Sequence, residues 1–141
     1  MSAALILAPV FVQIALTFAL MVMMAQARFA AAKARQVKVS DIALGQTAPW
    51  PEKPAKIARA FHNQLETPVL FYVAVTLALV TGKADRVFVI LEWAWLATRL
   101  AHAFVHVTSN HVPTRFRIFL GSVIALVTLW LWLAARVLVT G

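Results

Sequence analysis

The sequence predicts an all-α membrane protein: a bundle of four transmembrane helices with very little mass outside the lipid. Composition is the first observation, since 62% of residues are hydrophobic, only 13% are charged and the mean hydropathy is +0.83. These values lie far outside the range of soluble domains. Length is the second. At roughly 20 apolar residues per helical crossing, 141 residues leave room for about four spans and their connections, and none for a separate soluble domain. The third is the pair of long uncharged runs, Ser2 to Ala27 and Ile118 to Ala135.

The first span covers Ala3 to Ala27, long enough to cross the hydrocarbon with some tilt, and its helix is expected to continue to about residue 35. It lacks the basic n-region and cleavage site of a signal peptide and is expected to be retained. Arg28, Lys33, Arg35 and Lys38 follow it as a basic flank. From Ser40 to Pro54 the composition changes, collecting Asp41, Gly45, Gln46, Pro49, Pro51, Glu52 and Pro54, which disfavour a continuous helix and mark the one substantial loop. A second helix over about 54–81 follows, with Pro68 expected to kink it. Gly82, Lys83, Ala84 and Asp85 read as a tight turn into a third helix over about 85–107, which carries Glu92 and Arg99 inside its apolar length. Thr108 to Pro113 is a second polar turn, and a fourth helix is expected over about 114–138. The whole chain, 1–141, is expected to form one domain. Trp93, Trp95, Trp130 and Trp132 are expected to act as interface anchors or lipid-facing filler.

The formal charge of +8 does not call for nucleic acid, because the basic residues flank apolar runs, where anionic lipid headgroups account for them. Nine of them fall on the first and third connections and three on the opposite side, so the positive-inside rule places both termini outside and those two connections in the cytoplasm. The compact loops point to a bacterial inner membrane. Cysteine is absent, which excludes disulfides, thiolate metal sites and a protein thiol nucleophile. Any sulfur chemistry must come from a bound small molecule.

Charged groups within a span are expensive, so polar residues that share a helix face and a depth are candidates for function. On the second helix Arg59, His62, Asn63 and Glu66 recur at i, i+3, i+4 and i+7, one stripe near one membrane face. On the third, Arg99, His102 and His106 form a similar stripe approaching the same face, and Glu92 extends it the other way. Arg28 closes the first helix on that side and Arg115 opens the fourth. The bland reading pairs Glu66 with Arg99 and lets the arginines snorkel to lipid phosphates. Snorkelling does not require Asn63 or Glu66, however, and together these groups suit a small anionic, amide-bearing ligand held by charge-assisted hydrogen bonds.

The stretch Arg59-Ala60-Phe61-His62-Asn63-Gln64-Leu65-Glu66-Thr67-Pro68 resembles the second-helix signature of the MAPEG family, the membrane-associated proteins in eicosanoid and glutathione metabolism. Arg99-Leu100-Ala101-His102 through His106, Pro113 and Arg115 resembles the family's third helix and the turn into its fourth, and Gln26-Ala27-Arg28 the end of its first. The resemblance runs over essentially the whole chain.

It implies a homotrimer with glutathione as co-substrate, bound between neighbouring subunits, and a lipophilic small molecule as the second substrate. By position, Arg28, Arg59, His62, Asn63, Glu66, His102 and His106 fall among the glutathione-binding residues. Arg115 falls at the place of the thiolate-stabilising arginine, with Glu66 and Arg99 orienting the pocket. The chain departs from the family pattern at His62, where arginine is frequent, at His106, where tyrosine is common, and at Phe116 and Phe119, where some eicosanoid enzymes carry Ser and Tyr. The leading expectation is therefore a glutathione transferase or peroxidase acting on lipophilic electrophiles or hydroperoxides, in a detoxifying role, and eicosanoid isomerisation is not expected. The alternatives are a non-catalytic trimer of the same fold that binds a small anion or serves as a scaffold, a haem or metal protein using His62, His102, His106 or His111, and a proton-coupled exporter with Glu92 as carrier. No metal site is expected.

Overall fold

The computed structural model describes residues 1–43 and 49–139. Gly45 and Gln46, assigned above to the first loop, lie outside the described residues. Among the described residues every regular element is helical: α1 (Ala3–Lys33), α2 (Val39–Ala43), α3 (Glu52–His62), a 3₁₀ turn (Asn63–Leu65), α4 (Thr67–Val80), α5 (Arg86–Val107) and α6 (Val112–Val139). By length and composition four segments can cross a membrane: α1, the run Glu52–Val80, α5 and α6.

α1 is apolar on every face. Its 31 residues make a rod of about 46 Å, well beyond the ~30 Å hydrocarbon layer, so it tilts or projects and carries Arg28 toward one surface. A left-handed Arg35 (φ 55°) ends it, with the Gln36 N–H donating back to the Ala31 carbonyl and the Arg35 N–H to the Ala32 carbonyl. The first connection is not wholly irregular, because Val39–Ala43 closes a short helix where the polar composition pointed to loop.

The second span is broken rather than kinked. Pro68 lacks an N–H, and its ring conflicts with the carbonyl four residues back, at Gln64. The chain tightens into the 3₁₀ turn, leaves helical geometry at Glu66 (φ −98°, ψ −101°) and restarts with Pro68 in the first turn of α4, where proline is tolerated. Gly82, at φ 65°, ends α4 with the Lys83 N–H on the Ala78 carbonyl, a turn that needs a residue free to adopt the left-handed region.

α5 is the central element, in contact with α1, α3 and α6, while α4 packs on α1 and α6. The main apolar core lies at one end of the bundle, around Phe71, Phe88, Trp95, Leu96 and Leu129. Trp95 is wholly buried and stacks on Phe71 at 4.1 Å, so it is a core residue and not the lipid-facing anchor expected from sequence. Trp93, 45% exposed, is on the surface. At the other end the core thins to Leu20, Ala60 and Ala103.

Two contacts fix which connections share a face. Lys56 Nζ donates to the Thr108 carbonyl (2.9 Å), joining the start of the second span to the end of the third. At the opposite end Asp85 caps α5 by accepting from the Phe88 N–H (2.9 Å), accepts from Trp132 Nε1 (3.0 Å) and pairs with Arg136 (3.1 Å).

Partial burial works against the Asp85 carboxylate, but the Phe88 N–H, the Trp132 indole and the Arg136 cation outweigh it and hold its pKa below the usual carboxylate range. Asp85→Ala is expected to cost roughly 1–2 kcal/mol, the worth of a good helix cap, read as a lowered midpoint of thermal unfolding in detergent. A folded-state pKa below the unfolded one means that the unfolded chain binds the proton first. The contribution is therefore whole above the ordinary carboxylate pKa and fades as pH falls through the folded one.

Candidate functional site

The polar end is organised by Arg99, wholly buried on α5. Its Nη2 donates to the Asn63 carbonyl (3.1 Å), to Asn63 Oδ1 (2.7 Å) and to Gln64 Oε1 (3.2 Å). The Asn63 carbonyl can take this bond because the helix break removes its partner four residues on; within a bilayer a freed carbonyl must find a donor inside the protein. Gln64 Oε1 also accepts from Gln13 Nε2 of α1 (3.1 Å), and Gln64 Nε2 donates to the Ala60 carbonyl (3.0 Å). Three spans meet at this knot.

Glu66 does not pair with Arg99. Among the described residues the ion pair is that of Asp85 and Arg136, and Glu66 instead accepts from Asn63 Nδ2 (3.1 Å). Asn63 thus stands between the two charges, its oxygens toward Arg99 and its nitrogen toward Glu66. The break explains the difference, since it takes Glu66 off the continuous helix assumed from its spacing.

Two hollows open beside this knot. The larger, of about 570 Å³, is lined by Arg28, Arg59, His62, Asn63, Glu66 and His106 together with Pro49 and Trp50 of the first connection. The smaller, of about 240 Å³, is lined by Asn63, His102, His106, Val112, Arg115, Phe116 and Phe119. Asn63 and His106 belong to both, so the eight residues singled out from sequence all line one of two adjoining hollows. Glu92 does not: it is wholly buried on α5 and lines neither, and neither of its oxygens has a hydrogen-bond partner among the described residues.

Two of the cations in these hollows are held by neutral groups. Arg28 lies 5.1 Å above the Trp50 ring, and its buried Nε has no hydrogen-bond partner among the described residues. Arg115 Nη1 donates to Asn110 Oδ1 (2.6 Å). None of Arg28, Arg59 and Arg115 has a carboxylate partner among the described residues. The His102 and His106 rings meet edge-on at 5.6 Å, and both nitrogens of the buried His106 lack hydrogen-bond partners among the described residues. Three arginines against one glutamate leave a net of two positive charges facing the hollows. Such a surface can bind a small dianion, with Asn63 and Glu66 available to an amide or amine.

Sequence reasoning missed four contributors: Gln13, Gln64, Trp50 and Asn110. Gln13 carried a signal, being an amide in the middle of an uncharged 26-residue run. Trp50 and Asn110 sit in connections, where nothing in the spacing marks them.

Four helices long and apolar enough to cross a membrane, joined by a buried arginine hub, define a multi-pass integral membrane protein. The family model of the MAPEG family matches residues 6–135, and the chain belongs to that family. Membership connects it in general terms to membrane glutathione or eicosanoid metabolism. No curated protein and no solved structure matches the chain.

Gln13→Leu is expected to cost about 0.6 kcal/mol and at most ~1.7, the range for single interhelical hydrogen bonds within membranes, because Arg99 still satisfies Gln64. Arg99→Leu should destabilise considerably more, since it strips partners from Asn63 and Gln64 together. Thermal unfolding of the two variants in detergent checks the order.

Proposed function

We propose that the protein is a glutathione-dependent membrane enzyme, of transferase or peroxidase type, acting on lipophilic electrophiles or hydroperoxides. The observation that carries this reading is the pair of adjoining hollows with three arginines that have no carboxylate partner among the described residues. Glutathione presents two carboxylates, one amine, two amides and a thiol, and the larger hollow offers matching groups. Arg28 and Arg59 bind the carboxylates, Glu66 the amine and Asn63 an amide. Arg115, across the shared Asn63 and His106, receives the sulfur.

A free thiol has a pKa of about 8.5, and a neighbouring guanidinium raises its thiolate fraction at neutral pH. In conjugation the sulfur bonds to an electrophilic carbon, the leaving group departs with its electron pair, and the thiol proton passes to water. In peroxide reduction two glutathiones supply the two electrons. Apolar substrates reach the site from the bilayer, where they concentrate.

The same geometry supports a homotrimer. Glu66 is exposed on the single chain although it lies midway along the span Glu52–Val80, and Arg59 and His62 are exposed beside it. Charge at that depth needs cover, which a neighbouring copy provides. The orientation with both termini outside, and a bacterial inner membrane as the site, belong to the same proposal.

Phe116 and Phe119 favour a second reading, a non-catalytic trimer that binds the anion, because they put no hydroxyl beside Arg115. Turnover separates the two. At 100 times its dissociation constant glutathione should stabilise the purified protein by about 2.7 kcal/mol under either reading, seen as a raised unfolding midpoint. Only the enzyme reading has the protein consume an aryl halide or a lipid hydroperoxide, with Arg115→Ala lowering kcat/KM on the order of 100-fold. Absence of the stabilisation would rule out glutathione as ligand.

A further inference from the structure

We infer that Asn110 is a positioning residue for Arg115, aiming the guanidinium at the smaller hollow while leaving its charge unneutralised for the bound anion. The inference rests on the glutathione reading above. Arg115 is the fourth residue of α6, at the end of the helix where backbone N–H groups concentrate positive charge and a cation is disfavoured. Something must hold it there, and the hydrogen bond that does so runs from its Nη1 to Asn110 Oδ1 at 2.6 Å.

Asn110 is itself fixed. It occupies the left-handed region (φ 50°), where asparagine is among the few side chains readily accepted, and its N–H donates to the Val105 carbonyl (2.8 Å). The turn is thereby tied to α5, which carries His102 and His106, both lining the same hollow as Arg115. The choice of an amide matters. A neutral acceptor orients the guanidinium, whereas a carboxylate in the same place would pair with it and weaken its field at the ligand.

Two replacements keep the backbone turn and change the electrostatics. Asn110→Gly tolerates the positive φ and removes the acceptor; Asn110→Asp also enters this region and adds a charge. The experiment titrates the thiolate absorbance of glutathione bound to the full-length protein in detergent, for wild type, Asn110→Gly, Asn110→Asp and Arg115→Ala. The expected result is a bound thiol pKa lowered in wild type and raised toward the free value in both Asn110 variants. Each unit of rise removes about tenfold of the thiolate at pH well below the pKa. Asn110→Gly in an Arg115→Ala background, a fifth protein in the series, should shift the bound thiol pKa far less than Asn110→Gly does with Arg115 present, a dependence that a merely structural role would not generate.

A lowered pKa in wild type that Asn110→Gly leaves unchanged would overturn the positioning role and leave the glutathione reading standing. A wild-type protein that does not lower the thiol pKa, or an Arg115→Ala variant that lowers it equally, would overturn the positioning role through its premise.

Discussion

A guanidinium buried in the middle of an apolar bundle dictates much of what surrounds it. Arg99 has no access to solvent, and taking its charge out of water makes every hydrogen-bond acceptor within reach valuable. Breaking the second span supplies acceptors to its Nη2, while Nε and Nη1 have no hydrogen-bond partner among the described residues. Pro68 forces the break, the break releases the Asn63 carbonyl, and that carbonyl and two side-chain oxygens converge on one nitrogen of Arg99. Gln13 then ties α1 to the same point through Gln64. The position of Asn63 in the candidate site follows from this demand as much as from any ligand.

The same demand divides the bundle lengthwise. Apolar packing is concentrated around Phe71, Trp95 and Leu129, away from the polar end. Where the hollows open, the core is reduced to Leu20, Ala60 and Ala103, and hydrogen bonds between amides and a guanidinium replace it. Open hollows and tight apolar packing compete for one volume, and each takes its own half of the bundle.

The four spans were legible in the sequence because bilayer thickness imposes a length and a polarity that composition alone reveals. The eight polar positions of the candidate site were legible for a related reason, since charge inside a span is rare enough to stand out, and the MAPEG resemblance placed them. What escaped were relations between helices. Spacing along an ideal helix put Glu66 toward Arg99, and the break at Pro68 put Asn63 between them. Trp95 read as an anchor because indoles often sit at interfaces, but only the packing of α4 against its neighbours could reveal its stacking on Phe71. Trp50 and Asn110 lie in turns, where no periodicity tells which way a side chain faces.

The interruption at Glu66 also uncouples two tasks. α3, which carries Arg59 and His62, leans on α1 and α5, whereas α4 leans on α1 and α6. Both halves share α1, and Phe71 of α4 stacks on Trp95 of α5, but the other main support differs, α5 for the half that lines the hollows and α6 for the apolar half. No residue of α4 lines either hollow, so substitutions on its α6-facing side alter apolar packing without replacing any side chain of the polar end.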